Sequence, residues 1–267
     1  MALYIPEFGA KYIVRAAVLS IGCFLIMAYI FVYNDWADFS LDDTVAGQRK
    51  NTFVYRGIAP RQMLLLTAAL ALSGAAIISL VSIALLPIAL AMIALGIAYS
   101  LPVAGLKGKA IPIYASALHF VGILLVFLFG AMAFGPLDAR AWQVGSYFGL
   151  VIMAGHLVQE VQDFSGDQSA RVTTTAVRFG KRRMFALSFG LFSVSFAVLY
   201  LLADAGAIPS LARYALIFYP VYAWWALRAW KDGLQEGRVR RLRNQYRVLF
   251  AVMILAIAIA ALVQKPN

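Results

Sequence analysis

The chain has 267 residues, of which 63% are hydrophobic and 13% are charged, and its mean hydropathy is +0.82. Soluble globular domains are about 45–50% apolar and about 25% charged, so this composition excludes an ordinary soluble domain and a disordered chain. The formal net charge is +11. A single cysteine, Cys23, excludes an internal disulfide framework and a cysteine-rich metal site. A protein that crosses a membrane several times remains.

Long uncharged stretches predict one all-α domain over residues 1–267, built as a bundle of transmembrane helices, because about 20 apolar residues cross a bilayer. The first span is predicted at 16–33. The stretch 62–106 has 45 residues without a charge and would be about 68 Å long as one helix, so we expect two spans with a turn near 82–87. The later spans complete a total of eight, at 110–137, 141–159, 184–203, 205–227 and 248–264.

The basic residues predict the orientation of these spans. The loops that follow the odd-numbered spans hold 18 of the 23 lysines and arginines. Because positively charged loops stay in the cytoplasm, we expect these loops to be cytoplasmic and both termini to lie outside. Basic residues spread over several membrane loops do not form one surface that reads nucleic acid, so no nucleic-acid partner is expected.

The acidic residues are concentrated instead. Seven of the twelve fall in two short segments, each directly after an apolar span. In both segments three carboxylates have the spacing i, i+3 and i+7, which places them on one face of a helix. The segments carry Asp35, Asp38 and Asp42, with Asp43 beside them, and Glu160, Asp163 and Asp167.

This spacing indicates a cation site. Three like charges on one helix face repel each other, and such an arrangement persists where a cation occupies it. Oxygen ligands without nearby cysteine or histidine pairs favour Mg²⁺ over zinc, and Mg²⁺ commonly completes its shell with substrate phosphate. Two facing rows of carboxylates therefore predict Mg²⁺ around a diphosphate. The alternative is that both segments are solvated loop charges at the positive membrane face.

At this point the sequence resembles the UbiA superfamily of intramembrane prenyltransferases. The resemblance rests on Asn34-Asp35-x-x-Asp38-x-x-x-Asp42, on the second acidic segment with Gly166-Asp167, on Tyr99-Ser100-Leu101-Pro102 running to Lys107, and on the run from Thr174 to Gly180. It implies a helical enzyme that transfers a prenyl group from a polyprenyl diphosphate to an acceptor through an allylic carbocation, with Mg²⁺ as cofactor. The implied acceptor is an aromatic ring, a quinone precursor, a tetrapyrrole or a lipid alcohol.

The resemblance also implies roles for individual residues. The implied metal ligands are Asn34, Asp35, Asp38, Asp42, Glu160, Asp163 and Asp167, with Glu160 at a position where aspartate is more usual. Lys107 would contact the diphosphate and Tyr99 would line the reacting end, so both join Asp35, Asp38, Asp163 and Asp167 as catalytic residues. Further candidates for binding the diphosphate, besides Asn34, are Arg49, Lys50, Arg56, Arg171 and Arg178. For these cations, positive-inside topology is an equal explanation.

A carbocation needs a dry cavity, and a helical bundle in lipid supplies one. Trp36 and Phe39 interleave the first acidic segment and could offer π faces to the cation. His156, one turn before Glu160, could accept a proton from an acceptor, although a buried structural histidine is the more common case. We expect the basic run from Arg238 to Arg247 to attract anionic lipid.

One feature departs from the family pattern. In the family the first acidic motif usually follows the second of nine helices, whereas here it follows the first apolar span. We therefore expect eight helices without the family's first. The resemblance implies a multi-pass protein of a bacterial or archaeal plasma membrane with its active-site loops in the cytoplasm. Two alternatives remain open at this stage: a membrane terpene cyclase that uses the same ionisation, and an ion-coupled transporter.

Overall fold

The computed structural model describes residues 9–39, 52–103, 106–107, 111–169 and 171–263. Nearly all of them are helical, which confirms the predicted all-α class. The chain forms two compact units, Ile5–Lys109 and Ala110–Asn267, which we call the N-terminal and C-terminal units.

The N-terminal unit contains three long helices. Helix α1 spans Ala10–Ala37, the short α2 spans Thr52–Tyr55, α3 spans Pro60–Val81, a 3₁₀ turn covers Ile83–Leu85, and α4 spans Leu86–Ser100. Strands β1 (Pro102–Val103) and β2 (Leu106–Lys107) then pair antiparallel. The long uncharged stretch is thus two helices joined by a short turn at the predicted position, with a proline in the first turn of α4.

Two glycines bring α1 and α3 close together. A Cβ atom built on Gly22 would lie 2.7 Å from the Ile78 side chain, and one on Gly74 would lie 3.0 Å from the Gly22 carbonyl oxygen. Small residues allow such close packing of helices in membranes. The contacts run Gly22 to Ile78 and Ile26 to Gly74, so the two helices are antiparallel. Helix α4, which turns back from α3, is therefore parallel to α1, and their carboxyl ends lie at one end of the unit.

The C-terminal unit is built around one long helix. Its elements are α5 (Tyr114–Met132), α6 (Ala139–Ser169), α7 (Thr175–Phe179), α8 (Lys181–Asp204), a 3₁₀ helix (Ser210–Phe218), α9 (Tyr219–Lys231) and α10 (Glu236–Val263). Helix α6 packs against α5, α8 and α10. With 31 residues it is about 46 Å long, which exceeds the hydrocarbon core of about 30 Å. It can therefore continue beyond the membrane, as the second acidic segment requires.

Seven helices in the described part of the chain are long and apolar enough to cross a membrane, compared with eight predicted spans. The predicted span at 205–227 differs: it begins as a 3₁₀ helix and continues as the 13-residue α9, with Pro209 before the first and Pro220 near the start of the second. The segment still runs beside α8 in the opposite direction, from the ring pair Phe196–Tyr219 to Phe185–Trp230. It therefore returns the chain to the end of the unit where α8 begins.

The last helix also starts earlier than predicted. The expected span covered 248–264, whereas α10 begins at Glu236, so the basic run from Arg238 to Arg247 lies on a helix and not in a loop. The Phe192 ring packs against Tyr246 and Phe250 of α10 at centroid distances of 4.9 and 5.4 Å. This aromatic packing joins α8 and α10. The Tyr246 hydroxyl also donates to the Gly155 carbonyl of α6 at 3.3 Å, which holds this part of α10 beside α6.

Candidate functional site

The first acidic segment lies at the carboxyl end of α1. Asn34 and Asp35 belong to its last turn, and Asp38 ends the helix by donating its backbone N–H to the Asn34 carbonyl at 3.0 Å. Asp38 is 6% exposed. The amide oxygen Oδ1 of Asn34 is buried and has no hydrogen-bond partner among the described residues. An unpartnered buried polar atom costs about 1–3 kcal/mol, so this oxygen is suited to a ligand that completes it.

Aromatic rings hold this end of α1 in place. Tyr29, Tyr33 and Trp36 stack in sequence, with ring centroids 5.7 and 5.4 Å apart. The Tyr29 hydroxyl donates to the Ile93 carbonyl of α4 at 3.1 Å. The face of α1 beside the acidic segment is therefore anchored to α4.

The stretch from Tyr99 to Lys107, which carries part of the family resemblance, lies at the same end of the N-terminal unit. Tyr99 and Ser100 are the last residues of α4, and the strand pair places the Lys107 backbone opposite Pro102. The structure describes only the backbone of Lys107. Ser100 has a buried hydroxyl oxygen that no described residue bonds, and the sequence analysis did not select it. Its position next to Tyr99 is the only signal in the sequence.

The other predicted residues of the first half are the cations and the last aspartate of the first segment. Arg56 is exposed and lies in the short segment between the end of α2 and the start of α3. The remaining three lie outside the described part of the chain: Asp42, Arg49 and Lys50.

The second acidic segment lies on the last turns of α6, as the predicted helical spacing requires. Asp163 accepts a hydrogen bond from the Gln162 amide at 3.0 Å. Asp167 accepts one from the Thr174 hydroxyl at 3.3 Å, and its carbonyl accepts the Val172 N–H at 2.9 Å. Both side chains are half-buried. Among the predicted cations that follow, Arg171 and Arg178 are exposed.

Glu160 differs from the two aspartates, because it is buried inside the unit. One carboxylate oxygen accepts the Ala176 backbone N–H at 2.9 Å, and the other accepts the Thr175 hydroxyl at 3.1 Å. Thr175 also receives the Ile113 N–H on its hydroxyl oxygen at 3.0 Å. Glu160 therefore ties the start of α7 and the segment before α5 to α6.

The two histidines join the same buried network. The His156 Nδ1 atom lies 3.0 Å from the Ser116 hydroxyl and 3.5 Å from the Glu160 carboxylate. The His119 and His156 rings stack with centroids 3.9 Å apart. His156 is 9% exposed. These contacts describe a buried histidine with protein partners, which is the more common of the two cases considered from the sequence.

An arginine of the basic run 238–247, which was expected only to attract lipid, supports the second segment. Arg243 of α10 donates to the Gln159 side-chain oxygen at 2.6 Å and to the Gln162 oxygen at 3.4 Å. The Gln162 amide in turn donates to Asp163. A guanidinium group can hold two acceptors in a fixed geometry, so Arg243 orients the helix face that carries Asp163. Arg243 lies more than 80 residues after Gln159 and Gln162 in the chain, so no local sequence pattern predicts these contacts.

The donor chemistry of each segment suits Mg²⁺. No group of three or more histidine, cysteine, aspartate or glutamate side chains within the described ranges forms a metal site alone. The first segment nevertheless combines two carboxylates with the unpartnered amide oxygen of Asn34, and the second offers two half-buried carboxylates. Hard oxygen donors in small number are what Mg²⁺ takes when substrate phosphate supplies the rest.

The sequence model of the UbiA prenyltransferase family matches residues 1–248. A comparison with curated proteins found no match. The fold is similar to that of solved UbiA structures. A UbiA homologue from Archaeoglobus fulgidus bound to DMAPP and Mg²⁺ has a TM-score of 0.73 and 18% identity, covering 98% of this chain and 92% of that one.

Two further structures have similar scores. A UbiA homologue from Archaeoglobus fulgidus bound to GPP and Mg²⁺ has a TM-score of 0.71 and 17% identity, over 98% of this chain and 92% of that chain. A structure described for digeranylgeranylglyceryl phosphate synthase has a TM-score of 0.71 and 18% identity, over 94% of this chain and 86% of that chain. Identities of 17–18% to these structures support a shared fold. The family itself is shown by the sequence model, which matches residues 1–248.

Proposed function

The chain belongs to the UbiA prenyltransferase family, and we propose that it transfers a prenyl group from a polyprenyl diphosphate to a hydrophobic acceptor in a Mg²⁺-dependent reaction. The observation that carries the metal-dependent part is the buried, unpartnered oxygen of Asn34 at the acidic end of α1. Solved relatives bound to Mg²⁺ with DMAPP or GPP support the same chemistry. We propose that residues 1–267 act as one functional domain.

The proposed metal site has two halves. Asn34, Asp35, Asp38 and Asp42 form the first, and Asp163 and Asp167 form the second. Glu160 is a ligand in the sequence prediction, but its oxygens already accept hydrogen bonds from Thr175 and Ala176, so we assign it a positioning role. When bound, Mg²⁺ would neutralise the negative charge that develops on the departing diphosphate.

Cationic side chains complete the neutralisation of the diphosphate. We assign the main contact to Lys107, because the strand pair holds its backbone just beyond the end of α4 that carries Tyr99. The supporting cations are Arg49, Lys50, Arg56, Arg171 and Arg178. A positive group near the leaving oxygens lowers the barrier only if it is already in place when the bond breaks.

The allylic cation that forms must be kept from water. We assign the lining of the reacting end to Tyr99, Trp36 and Phe39, whose rings can stabilise a cation through their π faces. Trp36 belongs to the stack that anchors α1 to α4, so its ring is held by packing. Apolar helices exclude water from the remainder of the path.

The acceptor class is a hydrophobic molecule that enters from the membrane. An aromatic ring, a quinone precursor, a tetrapyrrole and a lipid alcohol all meet this description. The structural relative described as digeranylgeranylglyceryl phosphate synthase supports including the lipid alcohol. Membership of a transferase family favours transfer over the cyclase and transporter alternatives.

We propose that both acidic segments face the cytoplasm of a bacterial or archaeal cell. In the C-terminal unit, Lys181 donates to the Gly233 carbonyl at 3.1 Å, and Arg243 contacts Gln159. The basic residues near the starts of α8 and α10 therefore lie at the same end as the second acidic segment. An end rich in arginine and lysine is retained on the cytoplasmic side.

The direct test measures release of diphosphate from labelled GPP by the purified protein in lipid vesicles, with and without Mg²⁺. We expect Asp35→Ala and Asp163→Ala each to lower the rate at least about 100-fold, the usual cost of removing one electrostatic contact to a transition state. Lipid extract supplies the acceptor, and a prenylated product identifies its class.

The matched control is Asp204→Ala, since Asp204 is an exposed aspartate paired with Arg213 near the end of α8. It should keep the wild-type rate. Full activity of either acidic-segment variant would refute the proposed site. A hydrocarbon product formed without acceptor would instead support the cyclase.

A further inference from the structure

A pocket lined by both charged and aromatic side chains lies between α9 and α10 in the C-terminal unit. Its volume is about 190 Å³. Its α10 wall consists of positions 238, 241, 242 and 245, which follow one helical face. Arg243 and Tyr246, which contact α6, lie on a different face. The side chains that define the chemistry of the pocket are Trp224, Trp225, Arg228, Asp232, Arg238 and Arg241.

The pocket carries excess positive charge. Three guanidinium groups and one carboxylate line it, which leaves a net charge of about +2 because arginine and aspartate are both ionised at neutral pH. Asp232 pairs with Arg238 at 3.1 Å. The Arg228 guanidinium lies over the Trp224 ring, 5.1 Å from its centroid. These two contacts fix the direction of the Arg228 and Arg238 guanidinium groups, and the pocket keeps an excess of positive charge for an anion.

The position of the pocket points to the membrane interface. It lies at the first turns of α10, where a candidate membrane span begins at Glu236. Trp224 is 55% exposed, and tryptophan beside arginine at the end of a span is typical of the headgroup region. A volume of about 190 Å³ is below the range of about 300–1,000 Å³ that holds a whole small molecule. A headgroup fits this space, with its acyl chains outside in lipid.

We propose that this pocket binds the phosphate group of an anionic phospholipid. Arginine forks match phosphate oxygens in a bidentate geometry, and the tryptophan rings contact the adjoining glycerol. The anionic lipids of the cytoplasmic leaflet supply the ligand to a basic end of the protein. The pocket shares no side chain with the acidic segments, so this proposal stands or falls independently of prenyl transfer.

The test uses native mass spectrometry of the detergent-purified full chain, titrated with phosphatidylglycerol or phosphatidylcholine. We expect wild-type protein to retain phosphatidylglycerol preferentially. Arg228→Gln and Arg241→Gln should each weaken that binding about fivefold, which corresponds to about 1 kcal/mol for one basic residue at a membrane surface. Both side chains are exposed, so the variants should fold normally.

The control is Arg240→Gln, which removes the same charge from α10 at an exposed position paired with Glu236, outside the pocket. It should bind phosphatidylglycerol like wild type. Equal retention of the two lipids, or an equal loss in all three variants, would overturn the proposal. Complete displacement of the lipid by millimolar inorganic phosphate would also overturn it, because the site would then select free phosphate and not a lipid.

Discussion

Glu160 and Asp163 are neighbours on one face of α6, but they have different partners. Glu160 is buried and bonded to the start of α7, whereas Asp163 is half-buried and bonded to Gln162. Two carboxylates of the same i, i+3, i+7 row therefore have two different physical roles. The first stabilises the loop after α6, and the second is the cation-binding role that we propose for Asp163.

This difference predicts that substituting Glu160 mainly lowers stability, whereas substituting Asp163 mainly lowers activity. Glu160→Ala removes the acceptor of the Ala176 N–H and the Thr175 hydroxyl, so we expect it to lower the free energy of unfolding by about 1–3 kcal/mol. Asp163→Ala should leave the unfolding temperature nearly unchanged and abolish diphosphate release. Thermal unfolding in detergent, measured beside the activity assay, distinguishes them.

The control for this pair is Glu236→Gln, an exposed glutamate paired with Arg240, which should affect neither quantity. If Glu160→Ala unfolds at the wild-type temperature and requires more Mg²⁺ for activity, Glu160 belongs with the metal ligands after all.

The side-chain partners of individual site residues were the part of the structure that the sequence predicted least well. The i, i+3, i+7 spacing predicted one helix face for each segment, which α6 provides for Glu160, Asp163 and Asp167. The prediction is wrong for the first segment, because α1 ends at Ala37 and Asp38 already lies at its cap. The spacing also treated Glu160 and the aspartates alike. The partners of Glu160 come from Thr175 and Ala176 after a change of chain direction, and Arg243 reaches Gln159 from another helix. Such contacts depend on the tertiary fold, and no local pattern encodes them.

At the scale of elements, the contact between α1 and α3 determines where the first acidic segment lies. Gly74 contacts Ile26 and the backbone of Gly22, with no room for a side chain. Helix α1 carries Asn34 and Asp35 at its end, so any displacement of α1 moves the proposed ligands.

We expect Gly74→Ala to destabilise the protein by about 1–3 kcal/mol, the usual cost of overpacking, and to lower diphosphate release. The added Cβ would lie 2.9 Å from Ile26 Cγ1 and 3.0 Å from the Gly22 oxygen, and the backbone atom cannot rotate away. Thermal unfolding measures the first effect.

Gly130→Ala is the matched control, because Gly130 lies in α5 and an added Cβ there would have no described neighbour within 4 Å. Alanine has the higher helix propensity, so this variant should be as stable as wild type or more stable. Equal stability of the two variants would show that α1 and α3 do not depend on the glycine contact.

Most elements could be predicted because a chain inside a membrane must hydrogen-bond all of its backbone N–H and C=O groups internally. Long apolar stretches therefore form helices. The turn between α3 and α4 followed from length alone. The segment 205–227 was less predictable, since its two prolines and a 3₁₀ helix interrupt the regular pattern. The early start of α10 was missed because charged residues at a helix end resemble a loop.

At the scale of the whole molecule, the chain combines two compact units, each with one acidic segment. The proposed metal–diphosphate site, to which both segments would contribute, would explain why each unit carries its own row of carboxylates. It also explains the requirement for a membrane-embedded fold, because the prenyl chain and its cation need an apolar environment while the diphosphate needs a polar one.

The most direct test of this account is an experimental structure of the protein with Mg²⁺ and a non-cleavable prenyl diphosphate analogue. We expect one diphosphate whose Mg²⁺ ions lie about 2.0–2.1 Å from oxygens of both segments, with Asn34, Asp35 or Asp38 on one side and Asp163 or Asp167 on the other. A diphosphate bound through only one segment, or segments on opposite faces of the membrane, would contradict the account.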